Sequence, residues 1–297
     1  MRGNHSRRRT IGAWLVALAA VSHTGALSAQ TLRVAGVSDP TRPGDLLLLT
    51  VATPSSTTAV TVTAFGSVWP AIRVNPTTWR GVVGVDLDRV PGSYEVSVDS
   101  VTASAAPATF RGHVQVAPRA FRRRELRVAP DYVNPPPDVM ARITNEAQFL
   151  ESVYASSNGE AAWQEGFGRP VPGRANSSFG TRSVFNGEER SPHAGTDFLS
   201  GTGTPIHAPA GGRVVAARDL FFSGNTVIID HGLGIFSMLA HMSRFDVHEG
   251  DVVPRDAVVG RVGATGRVTG PHLHWALRVG GARVDPLSAL KLLPASQ

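Results

Sequence analysis

The octapeptide GPHLHWAL occupies residues 270–277 and alternates imidazole with apolar side chains. In a β-strand, residues two apart point to the same face. His272 and His274 therefore lie side by side, while Leu273 and Trp275 face the opposite way. This alternation predicts a half-buried strand that presents two imidazoles on one face.

The residues around this octapeptide follow the same extended pattern. Short runs rich in Val, Ile and Leu alternate with frequent Gly and Pro, and few stretches have helical spacing. We therefore predict a glycine-rich, antiparallel β-domain over residues 166–297. The strands predicted within it are residues 213–217, 226–230, 258–262 and 273–279.

Seven of the ten histidines fall in this domain, and one of them opens the motif His193-Ala194-Gly195-Thr196-Asp197. The chain has no cysteine, so a metal site must use His, Asp or Glu. Two imidazoles and a carboxylate suit a catalytic zinc, which takes three protein ligands and leaves a fourth position for water. A further histidine, His241, lies in the apolar stretch 235–242. The spacing predicts a metal site, with chance pairing of surface histidines as the alternative.

In these motifs the chain closely resembles the lysostaphin/LytM-type zinc metallopeptidases, a family of peptidoglycan endopeptidases. The agreement runs in order from residue 178 to residue 286, and it implies a LytM-type peptidase domain. The motifs that carry it are Ser178-Phe179-Gly180-Thr181-Arg182, Asn186-Gly187, His193-Ala194-Gly195-Thr196-Asp197, Gly203-Thr204-Pro205-Ile206, Ala208-Pro209-Ala210-Gly211-Gly212, Gly224-Asn225-Thr226-Val227, Ile229-Asp230-His231-Gly232, Gly263-Ala264-Thr265-Gly266, Gly270-Pro271-His272-Leu273-His274 and Val284-Asp285-Pro286.

The resemblance implies a role for five polar residues. His193, Asp197 and His274 are the implied ligands of one Zn²⁺ ion, and His241 and His272 are the implied catalytic pair. Zinc lowers the pKa of a bound water towards about 7 and polarises the scissile carbonyl. One imidazole then takes the proton and returns it to the leaving amine, while the other stabilises the tetrahedral intermediate. Which histidine is the base stays open.

Other residues of the domain receive weaker predictions. Arg182 and His207 are candidate substrate-binding residues: Arg182 to orient substrate carboxylates in the groove, and His207, just before Ala208, to line the cleft. His231 is interpreted as a turn residue and His248 as a surface residue. Family members often carry Tyr where this chain has Leu239, so a hydroxyl contact to substrate is expected to be missing.

The implied activity is hydrolysis of peptide bonds in the stem peptides or crosslinks of bacterial peptidoglycan. The bond can be a D-alanyl–diaminopimelate crosslink, a glycine bridge or another peptide. The alternative function is that of a catalytically silent LytM-type regulator of cell-wall amidases, since some relatives have lost zinc ligands. All three ligands and both catalytic histidines are present here, which favours an exported zinc metalloendopeptidase.

The first half of the chain shows different patterns. Residues 30–118 have evenly spaced runs of Val, Thr and Leu separated by turn signals, which predicts an immunoglobulin-like β-sandwich. Asp86 and Asp88 within it are interpreted as a solvated strand face. Residues 119–165 are predicted to be a basic linker followed by one helix, which opens at Pro135-Pro136-Pro137-Asp138 and packs on the domain that follows. The domain 30–118 is a candidate site for a regulatory protein partner.

The amino terminus is typical of an export signal. Arg7-Arg8-Arg9 precede an apolar stretch at 11–21, and small residues follow up to Ala29, so residues 1–29 are predicted to be a cleaved signal peptide. No second stretch is apolar enough to span a membrane, so no integral membrane segment is expected after cleavage. The net charge of +6 is compatible with anionic wall polymer. We expect peptidoglycan rather than nucleic acid as partner, and a periplasmic, cell-envelope or secreted location.

Overall fold

The computed structural model describes residues 32–103, 106–127, 135–176 and 179–295. The predicted signal peptide and Ser178 lie outside these ranges. The described part is mainly β, as predicted, with two helices beside its strands. In these ranges no helix combines the length and the apolar composition that crossing a membrane requires.

The amino-terminal domain contains two four-stranded antiparallel sheets, in the orders β1-β2-β6-β5 and β4-β3-β7-β8. The sheets touch through side chains such as Leu49 and Val62, which are fully buried. A Cβ on Gly81 would lie only 2.8 Å from Val62 Cγ2, so the small residue permits this approach. The all-β prediction is confirmed, while the immunoglobulin-like class stays a prediction. The strands are β1 (Arg33–Ala35), β2 (Leu46–Ala52), β3 (Thr57–Ala64), β4 (Ser67–Pro70), β5 (Ile72–Asn75), β6 (Thr78–Gly84), β7 (Gly92–Thr102) and β8 (Ala108–Val116).

The carboxy-terminal domain is built on one large antiparallel sheet, as the sequence predicts. Its central order is β10-β13-β20-β17-β16-β15-β18, and a short parallel pair, β9 with β11, lies beside it. The strands are β9 (Arg123–Leu126), β10 (Arg174–Ala175), β11 (Arg182–Phe185), β12 (Glu188–Glu189), β13 (Gly195–Leu199), β14 (Pro205–His207), β15 (Gly212–Leu220), β16 (Gly224–Gly232), β17 (Ile235–Phe245), β18 (Val252–Val253), β19 (Val258–Val262), β20 (Leu273–Val279) and β21 (Ala282–Val284).

Two helices complete the described chain, α1 (Pro137–Ala155) and α2 (Pro286–Leu292). The Asp285 carboxylate caps α2 by accepting the backbone N–H of Leu287 at 3.1 Å, and Pro286 fills the first helical position. This explains the Val-Asp-Pro motif at the end of the domain. Helix α1 packs on the large sheet as predicted, through Val153 and neighbours that contact Phe236. Its predicted stripe is only partly buried, since Met140 is 45% exposed.

In the predicted linker and at Asp86 and Asp88, the structure shows contacts that the sequence does not predict. The carboxy-terminal part of the predicted linker is the strand β9, which pairs with β11 of the following domain. Asp86 and Asp88 lie beyond the end of β6 rather than on a strand face, and both carboxylates accept hydrogen bonds from Arg283, at 2.6 Å and 2.8 Å. Burial raises the pKa of Asp86, but the hydrogen bonds from Arg283 outweigh burial and lower it to about 2. The two domains are thus joined by charged contacts that only the tertiary structure creates.

His231 is also not the turn residue that was predicted. Its side chain is fully buried on β16, where Nδ1 donates to the Gly211 carbonyl at 2.7 Å. Nε2 then accepts from the Ser237 hydroxyl at 2.8 Å. Both ring nitrogens are satisfied by the neutral imidazole, so His231 is a structural core residue.

This burial gives a testable dependence of stability on pH. Burial lowers the pKa of His231 from its ordinary 6.5 to about 4. The unfolded chain therefore binds more protons than the folded chain between pH 6.5 and 4. The contribution of His231 to the free energy of unfolding is complete above pH 6.5, and it falls as the pH drops towards 4. We expect wild type to lose about 3 kcal/mol more than His231→Gln over this interval. Urea unfolding of the chelator-treated proteins at several pH values measures the difference; parallel curves would contradict the assignment.

Candidate metal centre

Two neighbouring strands and the segment that precedes one of them place the candidate ligands. Asp197 on β13 and His274 on β20 are paired directly across the strands. His193 precedes β13, and two backbone hydrogen bonds fix it: its N–H donates to the Thr181 carbonyl at 3.0 Å, and its carbonyl accepts from Gly180 at 2.8 Å. The motif that holds Gly180 and Thr181 therefore supports the first histidine of the metal motif.

The three ligand atoms converge as the spacing predicts. His193 Nε2 lies 3.2 Å from Asp197 Oδ1, His274 Nδ1 lies 3.0 Å from the same oxygen, and the two nitrogens are 3.0 Å apart. Tetrahedral zinc with bonds of about 2.0–2.2 Å separates its ligand atoms by about 3.3–3.6 Å. The spacing is close to this value, and two imidazoles with one carboxylate are ligands that zinc prefers. The site fits a zinc ion.

The charge state of the ligands also suits a cation. Burial raises the pKa of the Asp197 carboxyl, but hydrogen bonds from His193 and His274 outweigh burial and lower it. Burial lowers the pKa of His274. Asp197 is therefore anionic and His274 neutral near pH 7, which are the forms that bind a metal.

A side-chain contact of the neighbouring residue fixes the strand that carries Asp197. The adjacent Thr196 is fully buried, and its hydroxyl donates to Asp285 Oδ1 at 3.0 Å. Asp285 is the residue that caps α2, so the end of the domain is tied to the strand of the metal motif. Such supporting contacts fix a ligand strand before any ion binds.

Gly195 explains why the metal motif needs a glycine at its centre. A Cβ built on Gly195 would lie 2.6 Å from both Cε1 and Nε2 of the His274 ring. Real Cβ atoms do not approach other atoms this closely, so the glycine makes room for the ligand imidazole.

We therefore expect Gly195→Ala to displace His274 and weaken zinc binding by about 10-fold to 100-fold. Competition with a chromogenic chelator measures the affinity. Gly201→Ala is the matched control, because a Cβ at Gly201 meets no atom within 4 Å. Equal zinc affinity in both variants would show that the close contact with His274 is unimportant.

The two predicted catalytic histidines lie beside the ligands. His272 Nε2 is 3.7 Å from Asp197 Oδ1, and the His241 and His272 rings are 4.9 Å apart between centroids. His272 Nδ1 lies 2.8 Å from the Gly270 carbonyl, and His241 Nδ1 lies 2.9 Å from the Thr265 carbonyl. Because a carbonyl can only accept, each Nδ1 carries the proton in the neutral ring and each Nε2 is left as an acceptor.

His241 adopts an unusual backbone conformation. Its φ is +64°, in the left-handed region, although it lies within β17. Such a conformation costs a non-glycine residue about 1–2 kcal/mol, and strain of this kind concentrates at functional sites. Burial, followed by repulsion from His274, lowers the pKa of His241 to about 3, so this ring is neutral near pH 7.

The two candidate substrate residues have other contacts. The Arg182 guanidinium is paired with Asp88 of the amino-terminal domain at 3.4 Å. His207 Nδ1 lies 2.8 Å from the Asp256 carbonyl. Neither contact involves the five polar residues of the site, so the structure adds no support for these two predictions. Leu239 is fully buried, opposite Trp275 of β20, and packs in the core.

Sequence reasoning missed the residues that orient His241. The backbone N–H of His241 donates to the Ser223 carbonyl at 2.9 Å, and its ring Nδ1 donates to the Thr265 carbonyl. The Thr265 hydroxyl also accepts a hydrogen bond from the backbone N–H of Asn225 at 2.9 Å, which joins the segments around residues 265 and 225. The motifs around residues 224 and 265 belong to the family resemblance, but their contact with His241 depends on tertiary structure.

Both the sequence and the fold of this chain are similar to those of known peptidases. Residues 191–286 match the model of Peptidase family M23. The crystal structure of a Pseudomonas aeruginosa protein assigned to peptidase M23 superposes with a TM-score of 0.66 at 31% identity, covering 86% of this chain and 96% of that one.

Two curated relatives have names that state an activity. Peptidoglycan DD-endopeptidase ShyA of Vibrio cholerae is 39% identical over 140 residues, which is 46% of this chain and 32% of that protein. DD-carboxypeptidase/endopeptidase Mpg of Neisseria meningitidis is 42% identical over 96 residues, which is 32% of this chain and 22% of that protein. The chain thus matches about a third or less of the length of these relatives.

Proposed function

Because the chain belongs to peptidase family M23, we propose that it is a zinc metalloendopeptidase that hydrolyses peptide crosslinks of bacterial peptidoglycan. The observation that carries this proposal is the convergence of His193, Asp197 and His274 beside the pair His241 and His272. The names of two relatives, which state DD-endopeptidase and endopeptidase activities, support peptidoglycan as the substrate class.

In the proposed mechanism the three ligands hold the metal and the two further histidines move protons. When bound, zinc supplies Lewis acidity that activates water and polarises a carbonyl. The Nε2 atoms of His241 and His272 lack protons in the neutral rings, so each is able to accept a proton from the attacking water. The protonated ring then donates to the nitrogen as the C–N bond breaks, leaving a carboxylic acid and an amine, between which the second proton of the water is finally shared as carboxylate and ammonium. The two fixed Nδ1 contacts hold the rings in the orientation that this transfer needs.

We propose that this activity is exercised in the cell envelope after export. The charged and apolar pattern of residues 1–29 supports export, and the cell-wall substrates named for the relatives support the location. A regulatory partner that binds the amino-terminal domain remains part of the proposal.

The proposal is tested with purified protein of residues 30–297, zinc and isolated peptidoglycan. We expect soluble fragments whose masses identify a cleaved crosslink, and chelation is expected to stop their release. Protein that binds zinc but releases nothing from walls of several chemotypes would contradict the enzymatic proposal. That result would favour the alternative of a regulator of cell-wall amidases.

A further inference from the structure

We propose that Arg119 is a positioning residue, through which the amino-terminal domain fixes two of the three proposed zinc ligands. This inference rests on the proposed metal site and goes beyond it, because Arg119 lies in the connection between the two domains and is not a ligand. Its guanidinium makes hydrogen bonds to both domains, and the residues that it contacts continue to the segments that carry His193 and Asp197.

The guanidinium joins a turn of the amino-terminal domain to the last helix. Its Nη1 donates to the Pro43 carbonyl at 3.1 Å and to Asp45 Oδ1 at 3.3 Å, while its Nη2 donates to Asp285 Oδ2 at 3.2 Å. Beside these contacts the backbone N–H of Asp285 donates to the Gly44 carbonyl at 2.7 Å. One planar cation therefore fixes this turn against the residue that caps α2.

The ion pair at the centre of this arrangement is shielded from water. The Arg119 side chain is 25% exposed and that of Asp285 is 11% exposed. Solvent and salt screen such a pair less than a pair on the open surface. Removal of the cation would leave the Asp285 carboxylate largely buried without its charged partner, which is costly.

The first route from Arg119 to the metal centre runs through Asp285. Its Oδ1 accepts the hydroxyl of the fully buried Thr196 at 3.0 Å, while its Oδ2 accepts from Arg119. Thr196 directly precedes the proposed ligand Asp197 on β13. The orientation of the Asp285 carboxylate, which Arg119 fixes, therefore fixes the strand that carries one ligand.

The second route begins at two phenylalanine rings that lie under the guanidinium. The Arg119 guanidinium is 5.2 Å from the Phe121 centroid and 5.6 Å from the Phe179 centroid. The two rings meet edge to face, with 6.3 Å between centroids. A Cβ built on Gly44 would overlap the Phe179 ring, so the amino-terminal turn packs directly on this cluster.

This cluster supports the segment that holds the first ligand. Phe179 is buried and directly precedes Gly180, whose backbone N–H donates to the His193 carbonyl at 2.8 Å. Gly180 also lies against the Phe121 ring, which a Cβ at this position would overlap. The contacts of Arg119 with the two rings therefore fix the backbone to which His193 is bonded.

Both routes end at the backbone of a proposed ligand rather than at the metal. Contacts of this kind orient the ligands before an ion binds, and their loss typically weakens metal binding by about 10-fold to 100-fold. Ligands that are already in place also spare zinc the cost of ordering them. We therefore expect the amino-terminal domain to be needed for tight zinc binding, and not only for attachment to a substrate or partner.

The test measures zinc affinity of the chain of residues 30–297 by competition with a chromogenic chelator, under conditions in which circular dichroism shows every variant to be folded. Arg119→Gln removes the cation and is expected to weaken zinc binding about 10-fold. Arg119→Lys keeps the charge but not the planar fork, so we expect an intermediate loss of about threefold. The lysine variant tests the same claim with less disturbance of folding.

A second readout uses the zinc-free protein. The backbone N–H groups of Gly180 and His193 donate the hydrogen bonds that join the supporting segment to the ligand. We expect Arg119→Gln to speed amide hydrogen exchange at these two positions about 10-fold, with exchange in the centre of β16 unchanged. A variant that is merely less stable overall would exchange faster in both places.

Arg111→Gln is the matched control. Arg111 lies on β8 of the amino-terminal domain and pairs with Glu95 at 2.7 Å, but its side chain is 71% exposed. Its replacement removes an arginine and an ion pair from the same domain. We expect zinc affinity and hydrogen exchange to stay as in wild type.

Two results would overturn the inference while leaving the proposed function in place. One is equal zinc affinity in wild type and in both Arg119 variants. The other is faster exchange throughout the large sheet in Arg119→Gln with unchanged zinc affinity, because that result would assign Arg119 a role in overall stability alone. Wild type that binds no zinc would instead contradict the proposed function, and the inference would fall with it.

Discussion

Replacement of His274 by alanine is expected to abolish zinc binding at the site and, with it, release of peptidoglycan fragments. His274 is one of the three proposed ligand residues, and its Nδ1 lies within 3.0 Å of the other two proposed ligand atoms. Two remaining ligands hold zinc weakly, so we expect an affinity loss of about 100-fold or more. Metal analysis after dialysis, together with the fragment-release assay, measures both effects.

His248→Ala is the control for this experiment. His248 lies in the same domain, but its side chain is 94% exposed and its Nδ1 lies 3.8 Å from Asp251 Oδ2. We expect unchanged zinc content and activity in this variant. If His274→Ala kept a full equivalent of zinc, the ligand set would be wrong, whatever its activity.

Replacement of either proposed proton carrier is expected to have a different signature. His272→Asn and His241→Asn should retain zinc, because neither residue belongs to the ligand set, while kcat falls by about 10²-fold to 10⁴-fold. Asparagine is chosen for His241 because it tolerates the left-handed backbone better than most residues. Metal analysis and single-substrate kinetics on a crosslinked dimer separate the two effects.

A pH–rate profile sharpens this second prediction. If one histidine is the base, its replacement should remove the acidic limb of the kcat profile, whereas replacement of the other should lower kcat and preserve the limb. Activity within a few-fold of wild type in both variants would exclude them as proton carriers.

The metal centre could be predicted from the sequence because its determinants are local. A residue spacing of two in a strand places His272 and His274 on one face, and β20 spans Leu273–Val279 as the alternation predicts. The pairing of Asp197 with His274 depends on the order of the strands in the sheet, which the spacing does not determine.

The remaining features depend on contacts between distant segments. Asp86 and Arg283 are 197 residues apart, and nothing in a short window of sequence indicates that they pair. The same holds for Arg182 and Asp88, which are 94 residues apart and form an ion pair. The left-handed backbone of His241 was equally hidden, because no glycine or turn signal marks it. Each of these features is set by tertiary packing, which outweighs local preference.

The most direct test of the central claim is to locate the metal by anomalous diffraction. Crystals of zinc-loaded protein are measured on both sides of the zinc absorption edge. A single strong peak is expected within about 2.0–2.2 Å of His193 Nε2, Asp197 Oδ1 and His274 Nδ1. A zinc peak coordinated by other residues, with the space between these three atoms empty in catalytically active crystals, would contradict the account.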